Sequence, residues 1–240
     1  MLSGKLPAIG VRGFALTEEP SGSAPALELL GRALDQTLAE VAPAGDVGLL
    51  LFSGFAFSGP RADAPWPGAE SALLDNELSA TISRDVLNAR GLAAVQPHGV
   101  WLVEQLPLTS ALRVARGFML GEGLARVLVV TCDGGWSGTR GPTCAASCLL
   151  SLDVASGVRL GSARERGPAS DPPDPDLTLI ASRESWAARV RELARWMHAP
   201  FDVEQPTCEL TEGDGDLWRT AAFERDAVVV PSLRAGSPWQ

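Results

Sequence analysis

The sequence predicts an α/β fold built in layers around a mainly parallel sheet. Two observations predict this class: short continuous apolar runs of the kind buried in parallel sheets, and stretches of helical period that alternate with them over the first two-thirds of the chain. With 240 residues, 45% of them apolar, the chain can bury a substantial core. No apolar run is long enough to span a bilayer.

The first third of the chain begins with a strand at residues 9–16. A helix follows at 26–41, because Leu27, Leu30 and Leu34 recur at helical spacing. The continuous apolar run at 47–52 then predicts a second, buried strand.

The next elements continue the alternation. A helical region at 69–90 ends before Gly91, a residue suited to a helix C-terminus. A third strand is expected within 93–104 and a fourth at 125–131. Between them, residues 109–121 predict a helix with apolar residues on one face and arginines on the other.

The last part of the chain is less regular. Residues 144–154 and 158–163 predict two strands joined as a hairpin through Ala155-Ser156-Gly157. The charged, proline-rich segment 164–176 is the expected linker. It would separate an N-terminal half at 1–163 from a short C-terminal half at 177–240. That short half holds a strand at 177–181, a helix at 184–197, a polar stretch and a strand at 227–231. The helix is expected to pack its apolar stripe, Trp186, Val190, Leu193 and Met197, in the core. No internal repeat is visible in the sequence.

Charge and composition exclude several functional classes. The formal net charge of −9 argues against a nucleic-acid partner, since phosphate contacts need clustered basic side chains. The N-terminus lacks the pattern of a secretory signal, so cytoplasmic residence is expected. The spacing of Cys144 and Cys148 matches none of the usual zinc patterns, and we expect neither a metal nor a cofactor.

The segment 100–133 carries a resemblance to a known family. It reads VWLVEQLPLTSALRVARGFMLGEGLARVLVVTCD: an apolar strand, a tight turn, an amphipathic helix and a second apolar strand. This order resembles the nucleophile region of thiolase-fold condensing enzymes, especially the ketoacyl synthase III type. The tail at 225–240 is similar to the closing segment of that family, with Ala235, Gly236 and Trp239 matching. The resemblance implies a thiolase-like α/β/α fold with one full half and a strongly truncated second half.

The family's catalytic cysteine falls at Gln105 in this sequence. Condensation in the family needs that thiolate, together with His and Asn or two His from the second half. His98 lies before the turn, and His198 ends a helix, where a histidine is more often a favourable partner of the helix dipole. Cys132, at the end of a strand, is a weak candidate for an alternative nucleophile, and His198 is a second weak candidate for a relocated catalytic group.

The resemblance therefore implies a non-catalytic, chain-length-factor-like subunit that partners an active ketosynthase in bacterial fatty-acid or polyketide-type biosynthesis. The expected partner is that ketosynthase or a second copy of the chain, with an acyl carrier protein reached through the partner and no membrane or nucleic acid. The residues expected to shape the substrate tunnel and the interface are Asn76, Ser79, Thr81, Gln105, Leu106 and Leu108. Three alternatives remain open: an acyltransferase, a malonyl decarboxylase, and a binding protein for acyl-CoA or pantetheine.

Overall fold

The computed structural model describes most of the chain. The described residues are 8–19, 26–40, 47–54, 90, 99–104, 106–133, 143–152, 157–166, 178–181, 185–200, 202, 205–213 and 218–225.

The described elements are nine strands and three helices. The strands are β1 (Ile9–Glu18), β2 (Leu49–Gly54), β3 (Gly99–Glu104), β4 (Arg126–Cys132), β5 (Cys144–Ser151), β6 (Val158–Arg166), β7 (Thr178–Ala181), β8 (Thr207–Gly213) and β9 (Trp218–Arg225). The helices are α1 (Ala26–Glu40), α2 (Leu108–Gly121) and α3 (Trp186–His198). None of these helices is long and apolar enough to cross a membrane.

All nine strands form one sheet in the order β3-β2-β4-β5-β1-β6-β9-β8-β7. Only three neighbouring pairs are parallel, namely β2 with β3, β2 with β4, and β7 with β8. The expectation of a mainly parallel sheet is therefore wrong, and the sheet is mixed. The physical reason is that β5 and β9 each run against both of their neighbours.

The expected hairpin between β5 and β6 is also wrong. These strands follow each other in the chain, but β1 lies between them and pairs antiparallel with both. The link from β1 to β6 is short, because only Ile9 with Leu160 and Gly10 with Arg159 are in register. Because both strands run antiparallel to β1, β5 and β6 run in the same direction, and the turn-like sequence between them does not reverse the chain.

Two strands were not predicted, since their region was expected to be a polar stretch. In β8, Cys208, Leu210 and Glu212 are buried and alternate with more exposed residues, except that Thr211 is buried as well. β9 buries Ala221 and Phe223 in the same core. The period-2 alternation that would have indicated strands is hidden, because the charged Glu212 occupies a buried position and the apolar Ala222 a half-exposed one.

Other expectations fall partly outside the described residues. Strand β6 continues to Arg166, three residues into the segment expected to be a linker, and residues 167–177 are not described. Of the predicted helix at 69–90, only Arg90 is described. The strand expected at 227–231 and most of the tail lie outside the described residues, and the division into 1–163, 164–176 and 177–240 stays a prediction.

The chain follows the same path twice within this sheet. In the first half, β1 pairs antiparallel with β5, β5 pairs antiparallel with β4, and β4 lies parallel to β2. In the second half, β6, β9, β8 and β7 repeat these relations in the same order. The helix before the penultimate strand is α2 in one half and α3 in the other. The structure thus has an internal duplication that the sequence does not show.

The two faces of β4 show which helix covers each side of the sheet in the first half. Val127 and Val129 belong to the apolar core that also holds the buried residues of α2. Val130 and Cys132 alternate to the opposite face of the strand. Val130 is in register with Ser147, whose hydroxyl donates to the Ala33 carbonyl of α1 at 2.8 Å. Helices α1 and α2 therefore cover opposite faces of the first half, an α/β/α arrangement.

Helices α2 and α3 form the layer between the two halves of the sheet. Helix α2 packs on β4 of the first half and on β6 and β9 of the second, while α3 packs on β1, β7 and β8. The core that these helices share includes Trp186 and Phe223, two of the largest fully buried side chains. The starts of both helices consequently lie in the interior of the molecule.

Candidate functional site

The start of α2 is a buried helix end that needs hydrogen-bond acceptors. Its first four residues, Leu108 to Ala111, are all buried, and the preceding Pro107 provides no side-chain cap. The first amides of a helix have no partner within the helix, and leaving them unpaired in the interior is costly. The amide of Ala111 donates to the Pro107 carbonyl at 2.9 Å, so the amides before it must find another acceptor.

Glu212, near the end of β8, supplies that acceptor from the second half of the molecule. Its Oε2 accepts the amide of Thr109 at 2.7 Å and the Thr109 hydroxyl at 2.6 Å. The backbone amide of Leu108 also donates to the carboxyl group. A carboxylate is a favourable partner for a helix N-terminus, where the helix dipole places partial positive charge.

The first residue of α3 completes the arrangement. The indole Nε1 of Trp186 donates to Oε1 of Glu212. Trp186 and Glu212 are both 0% exposed, and Thr109 is 1% exposed. We call Glu212, Thr109 and Trp186 the Glu212 cluster; it joins the starts of the two central helices through one side chain.

The electrostatics of Glu212 are set by burial. Desolvation raises the pKa of the Glu212 carboxyl above its ordinary value, and the bonds from Thr109, Trp186 and Leu108 offset part of that rise. Within the described part of the chain, the groups that donate to Glu212 are backbone amide, hydroxyl and indole N–H groups, all of them neutral.

Strand β4 approaches the same helix start from the first half. The Thr131 hydroxyl donates to the Leu106 carbonyl at 3.5 Å, a long bond, just before α2 begins. The penultimate strands of the two halves thus both reach the turn that leads into α2. This turn is where the sequence places the nucleophile of the condensing enzymes.

Most of the residues expected in the tunnel and at the interface lie outside the described part of the chain. These are Asn76, Ser79, Thr81 and Gln105. Leu106 is half-buried and Leu108 is fully buried at the start of α2. The structure therefore places Leu106 before the start of α2 and Leu108 at that start, beside Thr109 in the chain, and the role of Gln105 stays a prediction.

Cys132 is not part of this cluster. It is buried on the face of β4 that α1 covers, whereas Glu212 lies in the layer of α2 and α3. Burial raises the pKa of the Cys144 and Cys148 thiols well above the ordinary value, and it raises the pKa of Cys208 to about 11. These three thiols are protonated at neutral pH and are therefore poor nucleophiles.

His198 lies at the opposite end of α3 from Trp186. Its Nε2 lies 3.0 Å from the Phe14 carbonyl oxygen, to which it can donate, and its side chain is exposed. Twelve residues of helix separate it from Trp186, a distance of roughly 18 Å at the rise of an α-helix. His98 lies outside the described residues. Within the described ranges, no group of three or more His, Cys, Asp and Glu side chains could hold a metal ion.

Sequence reasoning missed all three members of the Glu212 cluster. Glu212 was hidden because β8 was not predicted, and a glutamate among charged neighbours reads as a surface residue. Trp186 was assigned to the apolar stripe of its helix. That assignment is correct for the buried ring, but it does not predict the hydrogen bond that the indole N–H donates. A threonine at the first position of the predicted helix, two residues after Pro107, was the available signal for a helix start in need of an acceptor.

Comparisons with known proteins give a fold and no close relative. No family model matches the sequence, and no curated protein sequence does either. Among solved structures, the acyltransferase ChlB3 is similar at TM-score 0.59 and 15% identity, with 91% of this chain and 98% of that chain covered. A CsyB mutant complexed with CoA-SH is similar at TM-score 0.57 and 12% identity, with 91% and 100% covered. OleA of Xanthomonas campestris, in its acetamide-bound form, is similar at TM-score 0.58 and 10% identity, with 91% and 99% covered.

These similarities establish the fold that the segment 100–133 suggested. At identities of 10–15% they carry architecture and not activity. The chain has the mixed α/β fold of thiolase-like condensing enzymes.

Proposed function

We propose that this chain is a non-catalytic, ketosynthase-like subunit that partners an active ketosynthase, in the manner of a chain-length factor. The observation that carries the proposal is the buried Glu212 carboxyl at the start of α2, the helix that follows the expected nucleophile turn. In the condensing enzymes, as the resemblance implies, that turn carries a thiolate.

A carboxylate at this helix start works against thiolate chemistry. A helix N-terminus lowers the pKa of a nearby thiol because its partial positive charge stabilises the thiolate. Here Glu212 already accepts the amide and the hydroxyl of Thr109, so these donors are not free to stabilise a thiolate. Together with Gln105 at the cysteine position, this arrangement supports a subunit that has lost the condensation step.

The edge of the sheet supports a partner. Strand β3 pairs with β2 on one side and is the last strand in the order, and no described strand pairs with its outer side. Its sequence, GVWLVE, is apolar, and an edge strand of this kind tends to pair with another chain. We propose that β3 pairs with the ketosynthase in the bacterial cytoplasm, or with a second copy, and that acyl carrier protein is met through the partner.

Intact-mass spectrometry with acyl and malonyl thioesters tests the loss of chemistry. We expect no acyl adduct on the wild-type protein and no release of carbon dioxide. The variant Gln105→Cys should acylate slowly, and Gln105→Cys combined with Glu212→Ala should acylate faster because the amide and hydroxyl of Thr109 are released. Rapid acylation or decarboxylation by the wild type would favour the acyltransferase or decarboxylase alternatives and overturn the proposal.

Hydrogen exchange tests the proposed interface without any substitution. Alternate amides of an edge strand point away from its single neighbour and exchange quickly. We expect residues 99–104 to gain protection when the ketosynthase is added, while residues 195–198 at the end of α3 stay unchanged. Protection elsewhere with no change at β3 would remove the edge strand from the interface.

Coenzyme A binding is a second candidate, favoured by the similarity to a CsyB structure that holds CoA-SH. A binding protein would need no thiolate, so the Glu212 cluster does not oppose it. Binding to the native state raises the melting temperature by mass action. A melting curve that CoA or acyl-pantetheine leaves unchanged would exclude this candidate.

A further inference from the structure

We propose that the Glu212 cluster is a proton-linked clamp between the two halves of the molecule, one that stabilises the fold more when Glu212 is protonated than when it is ionised. The inference concerns cohesion of the fold and does not depend on the proposed partner or on the loss of catalysis.

The clamp spans elements that are far apart in the chain. Glu212 comes from β8 in the second half, and Thr109 begins the central helix that packs on β4 of the first half. Trp186 begins the other central helix. One carboxyl group therefore holds the two helix starts together, at a place with no exposed surface on Glu212 or Trp186.

Both protonation states can keep these contacts. The amides of Leu108 and Thr109 and the indole N–H are obligate donors, so they need lone pairs of the carboxyl oxygens. The Thr109 hydroxyl, 2.6 Å from Oε2, can donate to an ionised carboxylate or accept the proton of a neutral carboxyl. Protonation can thus be accommodated by reversing a single hydrogen bond.

Among the described residues, charged side chains lie near Glu212 on β9 and on α3. On β9, Arg219 is in register with Glu212, but it is half-exposed, so solvent screens its charge. In the first turn of α3, Arg189 bonds Glu192 at 2.7 Å. The first turn of α2 has no charged residue, and Ala181 is the register partner on β7.

The direction of the pH effect follows from the desolvated carboxyl. Because burial raises the pKa of Glu212 above its ordinary value of 4.5, the folded protein binds the proton more tightly than the unfolded chain does. Between the two pKa values, the free energy of unfolding therefore falls as pH rises. One proton changes the unfolding equilibrium constant about tenfold per pH unit inside that window.

The test is denaturant unfolding of the full chain across pH, comparing Glu212→Gln with Glu209→Gln. Glu209 lies on the same strand and is half-buried, so the matched variant removes the same formal charge outside the clamp. We expect the wild type and Glu209→Gln to lose stability as pH rises above 4.5. Just above that pH, the unfolding equilibrium constant of each, divided by that of Glu212→Gln, should change about tenfold per pH unit. Curves for the two variants that stay parallel would overturn the proposal.

A second pair of variants serves if Glu212→Gln does not fold. Thr109→Val removes the hydroxyl that lowers the pKa of Glu212, while Thr109→Ser keeps it. We expect the loss of stability to extend to higher pH in Thr109→Val than in the wild type, and Thr109→Ser to follow the wild type. A pH profile of Thr109→Val parallel to that of the wild type would contradict a proton-linked clamp.

Discussion

Trp186 and Trp196 lie on the same helix, but the indole N–H of Trp186 is buried and that of Trp196 lies near solvent. Trp186 donates to the buried Glu212, whereas Trp196 donates to the Gln205 carbonyl at 3.2 Å in an exposed setting and lies under Arg225. Water can replace the partner of Trp196 but not that of Trp186.

Substitution of each tryptophan by phenylalanine should therefore have unequal costs. Trp186→Phe leaves a carboxyl oxygen without its donor and should lower the free energy of unfolding by about 1–3 kcal/mol. Trp196→Phe should lower it by less than about 1 kcal/mol. Chemical denaturation of both variants at one pH measures the difference, and equal costs would argue against a structural role for the indole N–H of Trp186.

The cysteines give a second prediction at this scale. Cys132, Cys144, Cys148 and Cys208 are all buried, and burial raises the pKa of the last three thiols. We expect iodoacetamide at neutral pH to label the native protein slowly at every site and to label all four after unfolding. Fast, selective labelling of Cys132 in the native state would instead support the hypothesis that Cys132 is a nucleophile.

Helix α3 shows what periodicity predicts well. Its apolar stripe, expected from spacing alone, is buried at Trp186, Val190, Leu193 and Met197. Leu193→Ala should cost about 2–5 kcal/mol of stability, because it leaves a cavity in the shared core. Arg195→Ala, on the exposed face of the same helix, should cost within about 0.5 kcal/mol. A stable Leu193→Ala variant would mean that α3 does not hold the layer between the halves.

Strands were harder to predict than helices, for physical reasons. β2 and β4 are continuous apolar runs and were expected, because both of their faces are covered. β8 and β9 carry charged residues at several positions, and one of these, Glu212, points into the core because two helix starts need its oxygens. A buried acceptor of this kind cannot be predicted until the position of the helix that donates to it is known.

At the scale of the whole molecule, the sequence suggested the family of folds but not the internal duplication. The path β1-β5-β4-β2 recurs as β6-β9-β8-β7, although no repeat is visible in the residues. The same backbone path can be filled by different side chains as long as each face keeps its polarity. What the duplication produces is a pair of buried helix starts, and the chain joins them with one carboxyl group where the condensing enzymes are expected to hold a thiolate.

The most direct test of the proposed function is light scattering on the purified chain, alone and mixed with the ketosynthase encoded nearest to it. A partner subunit should form a stable one-to-one complex with that ketosynthase, with protection of residues 99–104 in the complex. A monomer or homodimer that ignores the ketosynthase at micromolar concentration would contradict the partner role and leave coenzyme A binding as the candidate to measure next.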